Sequence, residues 1–551
     1  MRRKVSRVSH NPMLTSRNAV QGNLTSLACA MLVAALLASC STLPPGADFP
    51  RVESHALEHP ETTRLGGQFF EAARQHDGNS GYRIVTVGVD GFLIRAQMID
   101  AAEKTLDLQY FIFRGDETGR LLLDALRRAA ARGVRVRVLI DDGATIAGDE
   151  QVNTLGANPG IEVRVFNPFA YRGHSNAVRA VEFMFNGSRL DYRMHNKLIV
   201  SDNSVALVGG RNIGNQYFQM DPESQFADDD VFVGGPVAAR LSATFDEYWN
   251  SAFAIPGEAL QSTQATAGAQ QKRHVHAREQ LQPLQTPGVD YVGRLASGEP
   301  YAGLISGRLP LLWTPAQVVC DSPDKKNVET GARAGRLLLR PIAKVAAGVQ
   351  SELLMVTPYF IPAREELQLL KDMRARNARV RILTNSLESN PDPAAHSGYM
   401  RYRVPLLEEG VELYEVRSLL GNTQGSGQTR AVSRYGNYAL HAKLFVFDRK
   451  SVFFGSMNFD QRSKRLNTEV GLIIDSPELA AQTASRFDAM AQPEDSYVLA
   501  LRPSNTGRQS QLVWGTRENG ESVEYTREPA RSEWQRLEIG FLALLPLDKE
   551  L

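Results

Sequence analysis

The feature that most constrains this chain is one pattern written twice. His195-Asn-Lys197-Leu-Ile-Val-Ser-Asp202 is followed, after six residues, by Gly209-Gly210-Arg211-Asn212. Far along the chain, His441-Ala-Lys443-Leu-Phe-Val-Phe-Asp448 is followed, after six residues, by Gly455-Ser456-Met457-Asn458. Two copies of His-x-Lys-x4-Asp with the same Gly-x-x-Asn sequel exclude coincidence and point to a duplicated unit.

The spacing has a physical reading. Leu198 to Val200 and Leu444 to Phe447 are apolar runs suited to buried strands. On a strand, residues i and i+2 share a face, so His195 projects with Lys197, and His441 with Lys443. Asp202 and Asp448 complete the motif and are counted with its catalytic set. Their place in the turns that end the strands suggests structural work more than chemistry. Asn212, Asn458 and Ser456 follow glycines that let the backbone approach a ligand closely, and are expected to bind phosphate.

The surrounding elements repeat as well. The first half offers an apolar β-rich run (106–113), a helical stretch (119–132), an alternating strand (134–141) and a Gly-led strand (160–166). The second offers 352–360, a helix at 365–375, 379–384 and 410–414 in the same order. Strands alternating with helices of this length predict an α/β fold built from parallel βαβ units. The chain divides into an export signal (1–40), a linker and lead-in helix (41–88), a first domain (89–255), an insertion or linker (256–335), a second domain (336–500) and a tail (501–551). The Trp534 to Leu545 run of that tail is amphipathic and is expected to dock on the body.

Two imidazoles, two ammoniums and two amides converging on one place suit a phosphodiester. One histidine attacks phosphorus and the other protonates the leaving oxygen, while the lysines offset the anionic charge. No metal or cofactor is expected. A histidine nucleophile needs a carboxylate behind it. Glu469 is the candidate in the second half. Aligning Val231 with Val470 nominates Asp230 in the first half, with Asp228 as competitor.

Composition narrows the partners. Hydrophobic residues at 43% and charged residues at 22% are ordinary globular values. A net charge of +1 gives no argument for nucleic acid, which is not expected as a partner. Three cysteines build neither a disulfide framework nor a zinc site, and Cys320 reads as a buried, inert thiol. Basic residues Arg2 to Arg17 precede a short apolar run from Leu27 to Ala38, ending Leu37-Ala38-Ser39-Cys40. That segment matches an export signal, and Leu-Ala-Ser-Cys resembles a bacterial lipoprotein box with Cys40 as the lipidated residue. The catalytic body is then expected in the bacterial cell envelope, lipid-anchored to a membrane facing the periplasm. Ser41 after the cysteine resembles lipoproteins sorted to the outer membrane.

The duplicated motif resembles the phospholipase D superfamily over roughly residues 85 to 500. Arg193 to Lys197, Gly209 to Gly214, Phe226 to Val231 and Gly455 to Ser463 are most similar to bacterial cardiolipin synthases of the phosphatidylethanolamine-using type. The resemblance implies two tandem α/β domains, each a mixed sheet flanked by helices, related by a pseudo-twofold axis. It implies a phosphatidyltransferase working through a phosphohistidine, with His195 as nucleophile and His441 as acid. Phosphatidylglycerol and phosphatidylethanolamine at a membrane surface are the implied partners. A phospholipase D hydrolase uses the same intermediate, and a nuclease of the superfamily or a non-catalytic lipid-binding lipoprotein are further readings. Gly210 departs from the pattern, standing where Ser is commoner.

Overall fold

The computed structural model describes residues 46–143, 156, 158–172, 175–221, 224–260, 302–418, 437–503 and 510–544. Cys40 and residues 261–301 lie outside the described residues.

The first half folds as β1 (Ser80–Val85), β2 (Thr105–Tyr110), β3 (Arg135–Asp141), β4 (Ile161–Phe166), β5 (Lys197–Ser201), β6 (Val205–Gly209), β7 (Ser224–Ala227), β8 (Asp230–Gly234), β9 (Ala254–Pro256) and β10 (Leu312–Thr314). Nine of these form one sheet in the order β10-β1-β8-β6-β5-β2-β3-β4-β9. Strands β2, β3 and β4 run parallel, whereas β5, β6, β8 and β1 are antiparallel neighbours. The sheet is therefore mixed, with its parallel part made by crossovers. The helix Glu117–Ala131 joins β2 to β3; Asp116 caps it by accepting from the Gly119 N–H, and Leu122, Leu126 and Ala129 bury its apolar face.

The second half repeats the plan with β11 (Ala316–Cys320), β12 (Glu352–Val356), β13 (Arg379–Asn385), β14 (Glu412–Val416), β15 (Asn437–Leu440), β16 (Leu444–Phe447), β17 (Ser451–Gly455), β18 (Val470–Asp475), β19 (Ser496–Pro503), β20 (Ser510–Glu518) and β21 (Glu521–Tyr525). The sheet order is β11-β18-β17-β16-β12-β13-β14-β19-β20-β21. Strands β12, β13 and β14 are the parallel set, and β16, β17 and β18 the antiparallel one. The two sheets are packed on one core. Val200, Val208, Val231 and Phe245 belong to the same buried cluster as Leu354, Leu444, Val452 and Leu472. Each such side chain contributes about 1.5–3 kcal/mol when fully buried, so the halves hold together strongly.

Three features differ from the sequence expectation. Strand β1 lies inside the supposed linker and lead-in, paired on both edges. The supposed insertion supplies β10 to one sheet and β11 to the other. The tail extends the second sheet through β20 and β21, and its helix Glu533–Leu542 rests on the body by Ile539 and polar contacts, not by its apolar stripe. Cys320 is a buried free thiol, and burial raises its pKa. Among the described residues no helix is long and apolar enough to cross a membrane.

Candidate active site

The histidines stand where the two halves exchange backbone. Met194 bridges to Thr468 of the other half; the His195 N–H donates to the Thr468 carbonyl at 2.9 Å, and the Thr468 N–H to the Arg193 carbonyl at 2.9 Å. The mirror contact is β15 lying parallel to β7, with the His441 N–H donating to the Ala227 carbonyl at 2.7 Å. Both histidines sit at the C-terminal end of the parallel strands. Asp141, the last residue of β3, accepts from the Met194 N–H at 2.8 Å. Asn385, the last residue of β13, accepts from the Leu440 N–H at 2.8 Å and donates to its carbonyl at 2.9 Å.

This exchange carries the carboxylates across. His195 Nδ1 lies 2.9 and 3.0 Å from the carboxylate oxygens of Glu469, a second-half residue. His441 Nδ1 lies 2.5 Å from Asp228 of the first half. Each carboxylate accepts the Nδ1 proton and so leaves Nε2 as the reactive nitrogen. Glu469 and Asp228 are both fully buried.

Asp230, nominated from sequence, is not the orienting group. It lies 2.9 Å from Arg95 and 3.1 Å from Arg211, an ion-pair cluster buried beneath the site. The valine alignment was out of step by two residues. Gly209 pairs with Asp230 as Gly455 pairs with Gly471, so Asp228 is the counterpart of Glu469. A shift of two keeps the strand face, which is why the valines matched in spite of it. The same geometry explains Gly210. A Cβ there would lie 2.1 Å from Asp228 Oδ1, so glycine makes room for the carboxylate. In the other half Ser456 Oγ donates to Glu469 at 2.5 Å and reinforces it.

Lys197 and Lys443 are 1% and 2% exposed, and neither forms an ion pair among the described residues. Lys197 Nζ donates to the His195 carbonyl at 2.6 Å, and Lys443 to the His441 carbonyl. Burial pushes the Lys197 ammonium well down and brings Lys443 to about 8, against the pull of Asp228 and Glu469. Burial and the neighbouring lysines also depress both imidazoles, bringing His441 to about 3 and holding His195 well below its ordinary value. Lys443 acts on His195 and Lys197 on His441, so the two half-sites form one electrostatic unit. The carboxylates are unequal. Burial raises Glu469 to about 7, whereas at Asp228 His441 and Lys443 outweigh burial and hold it below the usual range.

Two further motif positions stand apart from the chemistry. Asp202 and Asp448, counted with the catalytic set, do not enter the site and do the structural work that their turns suggest. Asp202 accepts from the N–H groups of Glu103, Lys104 and Thr105 at 2.8–2.9 Å, tying the end of β5 to the start of β2. Asp448 does the same for Gln350, Ser351 and Glu352 at 2.7–3.0 Å. Both sit at positive φ, 49° and 51°, which Asp tolerates better than most residues. Asn212 is committed internally, donating to Tyr217 Oη at 3.0 Å and accepting from the Ile112 N–H at 3.1 Å. Asn458 keeps a buried Oδ1 without a partner among the described residues. Sequence reasoning missed the aromatic walls. Phe111 packs edge-on to His195 at 4.8 Å, and Tyr217 and Phe226 pack against His441 at 5.2 Å. Phe111 follows β2 directly, and that was the available signal.

Paired mixed-sheet domains that pool two His-x-Lys motifs in one buried cluster define the phospholipase D superfamily. The family model described as "Cardiolipin synthase, PLD-like domain" matches residues 96–249 and 344–491. Cardiolipin synthase C of Escherichia coli (strain K12) is 35% identical over 496 residues, covering 88% of this chain and 99% of that protein. The major cardiolipin synthase ClsA of Bacillus subtilis (strain 168) is 26% identical, covering 73% of this chain and 67% of that one. A crystal structure of phosphatidylserine synthase from Haemophilus influenzae Rd KW20 gives a TM-score of 0.49 at 16% identity, covering 78% of this chain and 91% of that chain. The chain belongs to the cardiolipin synthase family and is an enzyme of the phospholipase D superfamily.

Proposed function

We propose that this enzyme transfers a phosphatidyl group to phosphatidylglycerol, making cardiolipin through a covalent phosphohistidine. The observation that carries the reading is a pair of buried lysines with no carboxylate of their own, beside two imidazoles each fixed by a carboxylate from the opposite half. The carboxylates are taken up by the imidazoles, which leaves the ammoniums to meet the oxygens of a phosphodiester. Neutral His195 attacks phosphorus through Nε2, and the bond to the leaving alcohol breaks as His441 gives that oxygen its proton. The hydroxyl of phosphatidylglycerol then returns a proton to His441 and attacks phosphorus, and His195 is released. His441 is assigned as the acid, because a firmly ionised Asp228 stands behind it to stabilise the protonated ring, whereas the Glu469 behind His195 is raised to about 7. The bound anion offsets the lysines and lets His441 hold its proton. The donor is phosphatidylethanolamine or a second phosphatidylglycerol. Purified enzyme given vesicles of phosphatidylglycerol, with and without phosphatidylethanolamine, should yield cardiolipin by mass spectrometry. Phosphatidic acid as the sole product would replace transfer by hydrolysis.

The pH dependence follows from the same groups. Glu469 supports His195 once ionised, above about 7, and Lys443 binds the anion while protonated, below about 8. The free enzyme's kcat/KM should therefore rise with pH through about 7 and fall through about 8. Lys443→Arg, with a guanidinium that stays charged, should move the alkaline limb upward; an unmoved limb would assign it elsewhere.

The site works at a membrane surface of the bacterial envelope, facing the periplasm, with the body tethered through lipid on Cys40. The basic segment, short apolar run and Leu-Ala-Ser-Cys ending support this. Metabolic labelling with a radioactive fatty acid should mark the chain and fail on Cys40→Ala.

A further inference from the structure

Two helices near the site are built inside out. In Glu533–Leu542 and the turn after it, Trp534, Leu537, Phe541 and Leu544 are 75%, 65%, 65% and 82% exposed. Their spacing of three to four residues places them in one stripe about 15 Å long. The other side holds the body by polar bonds. Gln535 donates to the Leu387 carbonyl at 2.8 Å and Arg536 to the Glu528 carbonyl at 2.9 Å, with Ile539 the buried apolar residue.

The helix Asn176–Leu190 repeats the inversion. Val178, Val181 and Met184 are 43%, 51% and 79% exposed. Inward, Arg179 meets Asp142 at 3.0 Å, Glu182 accepts from the N–H groups of Ala170 and Tyr171, and Arg189 donates to Asn167 at 2.7 Å. A water-facing helix shows the opposite pattern, with its apolar residues turned to the core.

Both helices belong to the end of the fold that carries the histidines. Asn176–Leu190 stands five residues before His195 and rests on Asn167, just past the end of β4. Glu533–Leu542 rests on Leu387, two residues past Asn385, which brackets Leu440 beside His441.

We propose that these two stripes form a membrane-docking surface that enters the interfacial layer of a phospholipid monolayer and delivers the lipid phosphate to the histidines. This rests on the reading of phosphatidyl transfer given above. A monolayer is the partner that takes up two separate apolar stripes at the histidine end of the fold and already contains the substrate. Apolar side chains with a Trp at one end suit the headgroup boundary.

Trp534 provides the test, because Trp249 and Trp514 are buried and Trp313 is partly buried. The full-length enzyme is mixed with phosphatidylglycerol and phosphatidylethanolamine vesicles carrying bromines on the acyl chains, and its tryptophan emission is followed. Quenching should occur and should vanish in Trp534→Phe. The double variant Leu537→Asp with Phe541→Asp, and separately Met184→Asp, should lose at least tenfold in turnover on vesicles. Both should keep wild-type turnover on a short-chain, monomeric phosphatidylglycerol. Unquenched emission together with unchanged vesicle turnover overturns the surface. Variants that turn an oligomer into monomers without altering vesicle turnover overturn it in favour of a second copy of this chain. If the wild type makes no phosphatidyl product from either substrate, the functional reading fails, and the quenching alone still decides the surface.

Discussion

His195→Ala and His441→Ala should each lower phosphatidyl transfer by about 10⁴-fold or more, because each removes a group that bonds to the reacting atoms. The two should fail differently. With a phosphatidyl ester of a good leaving group such as nitrophenol, protonation of the departing oxygen is no longer needed. His441→Ala should then still form the phosphatidyl-enzyme adduct, visible as a mass increase of the intact chain, and His195→Ala should not. An adduct on His195→Ala would exchange the two roles. Unchanged thermal melting of both variants would show that the loss is chemical.

The exchanged carboxylates lead to the second large effect. Glu469→Gln and Asp228→Asn should each cost about 10²–10⁴-fold, through loss of the imidazole tautomer and of charge behind the ring. Their phenotypes should cross the halves. Glu469→Gln, although in the second half, should resemble His195→Ala and resist rescue by nitrophenol. Asp228→Asn, in the first half, should resemble His441→Ala and be rescued. The opposite pattern would mean that each half supports its own histidine. Asp230→Asn provides the contrast two residues away. It leaves Arg95 and Arg211 buried without their shared counter-charge, so it should lower stability by about 3–5 kcal/mol, read as a lower melting temperature.

What could be read from the sequence, and what could not, follows the range of the forces involved. His195, Lys197, His441 and Lys443 were legible because strand periodicity is local and the motif occurs twice. The parallel β2-β3-β4 and β12-β13-β14 sets were legible through alternating strand and helix patterns. Asp228 was misplaced in favour of Asp230 because register between strands is set by pairing partners far along the chain, and a slip of two preserves the side-chain face. Strands β10 and β11 were hidden because each is short and bounded by prolines, Pro310 and Pro315 among them, so they read as linker. Asp202 and Asp448 share the motif with the histidines and so were counted with the catalytic set, although their place in the turns already pointed to structural work, which the N–H contacts show. The crossing of Glu469 to His195 could not be read at all, since a sequence does not say which half a side chain faces.

That crossing makes the chain self-auditing. An imidazole from one half acquires its working form only when a strand from the other has arrived beside it, so a nascent or damaged molecule with a single sound half holds no reactive histidine to misdirect at the lipids around it. Competence appears in one step, with completion of the whole.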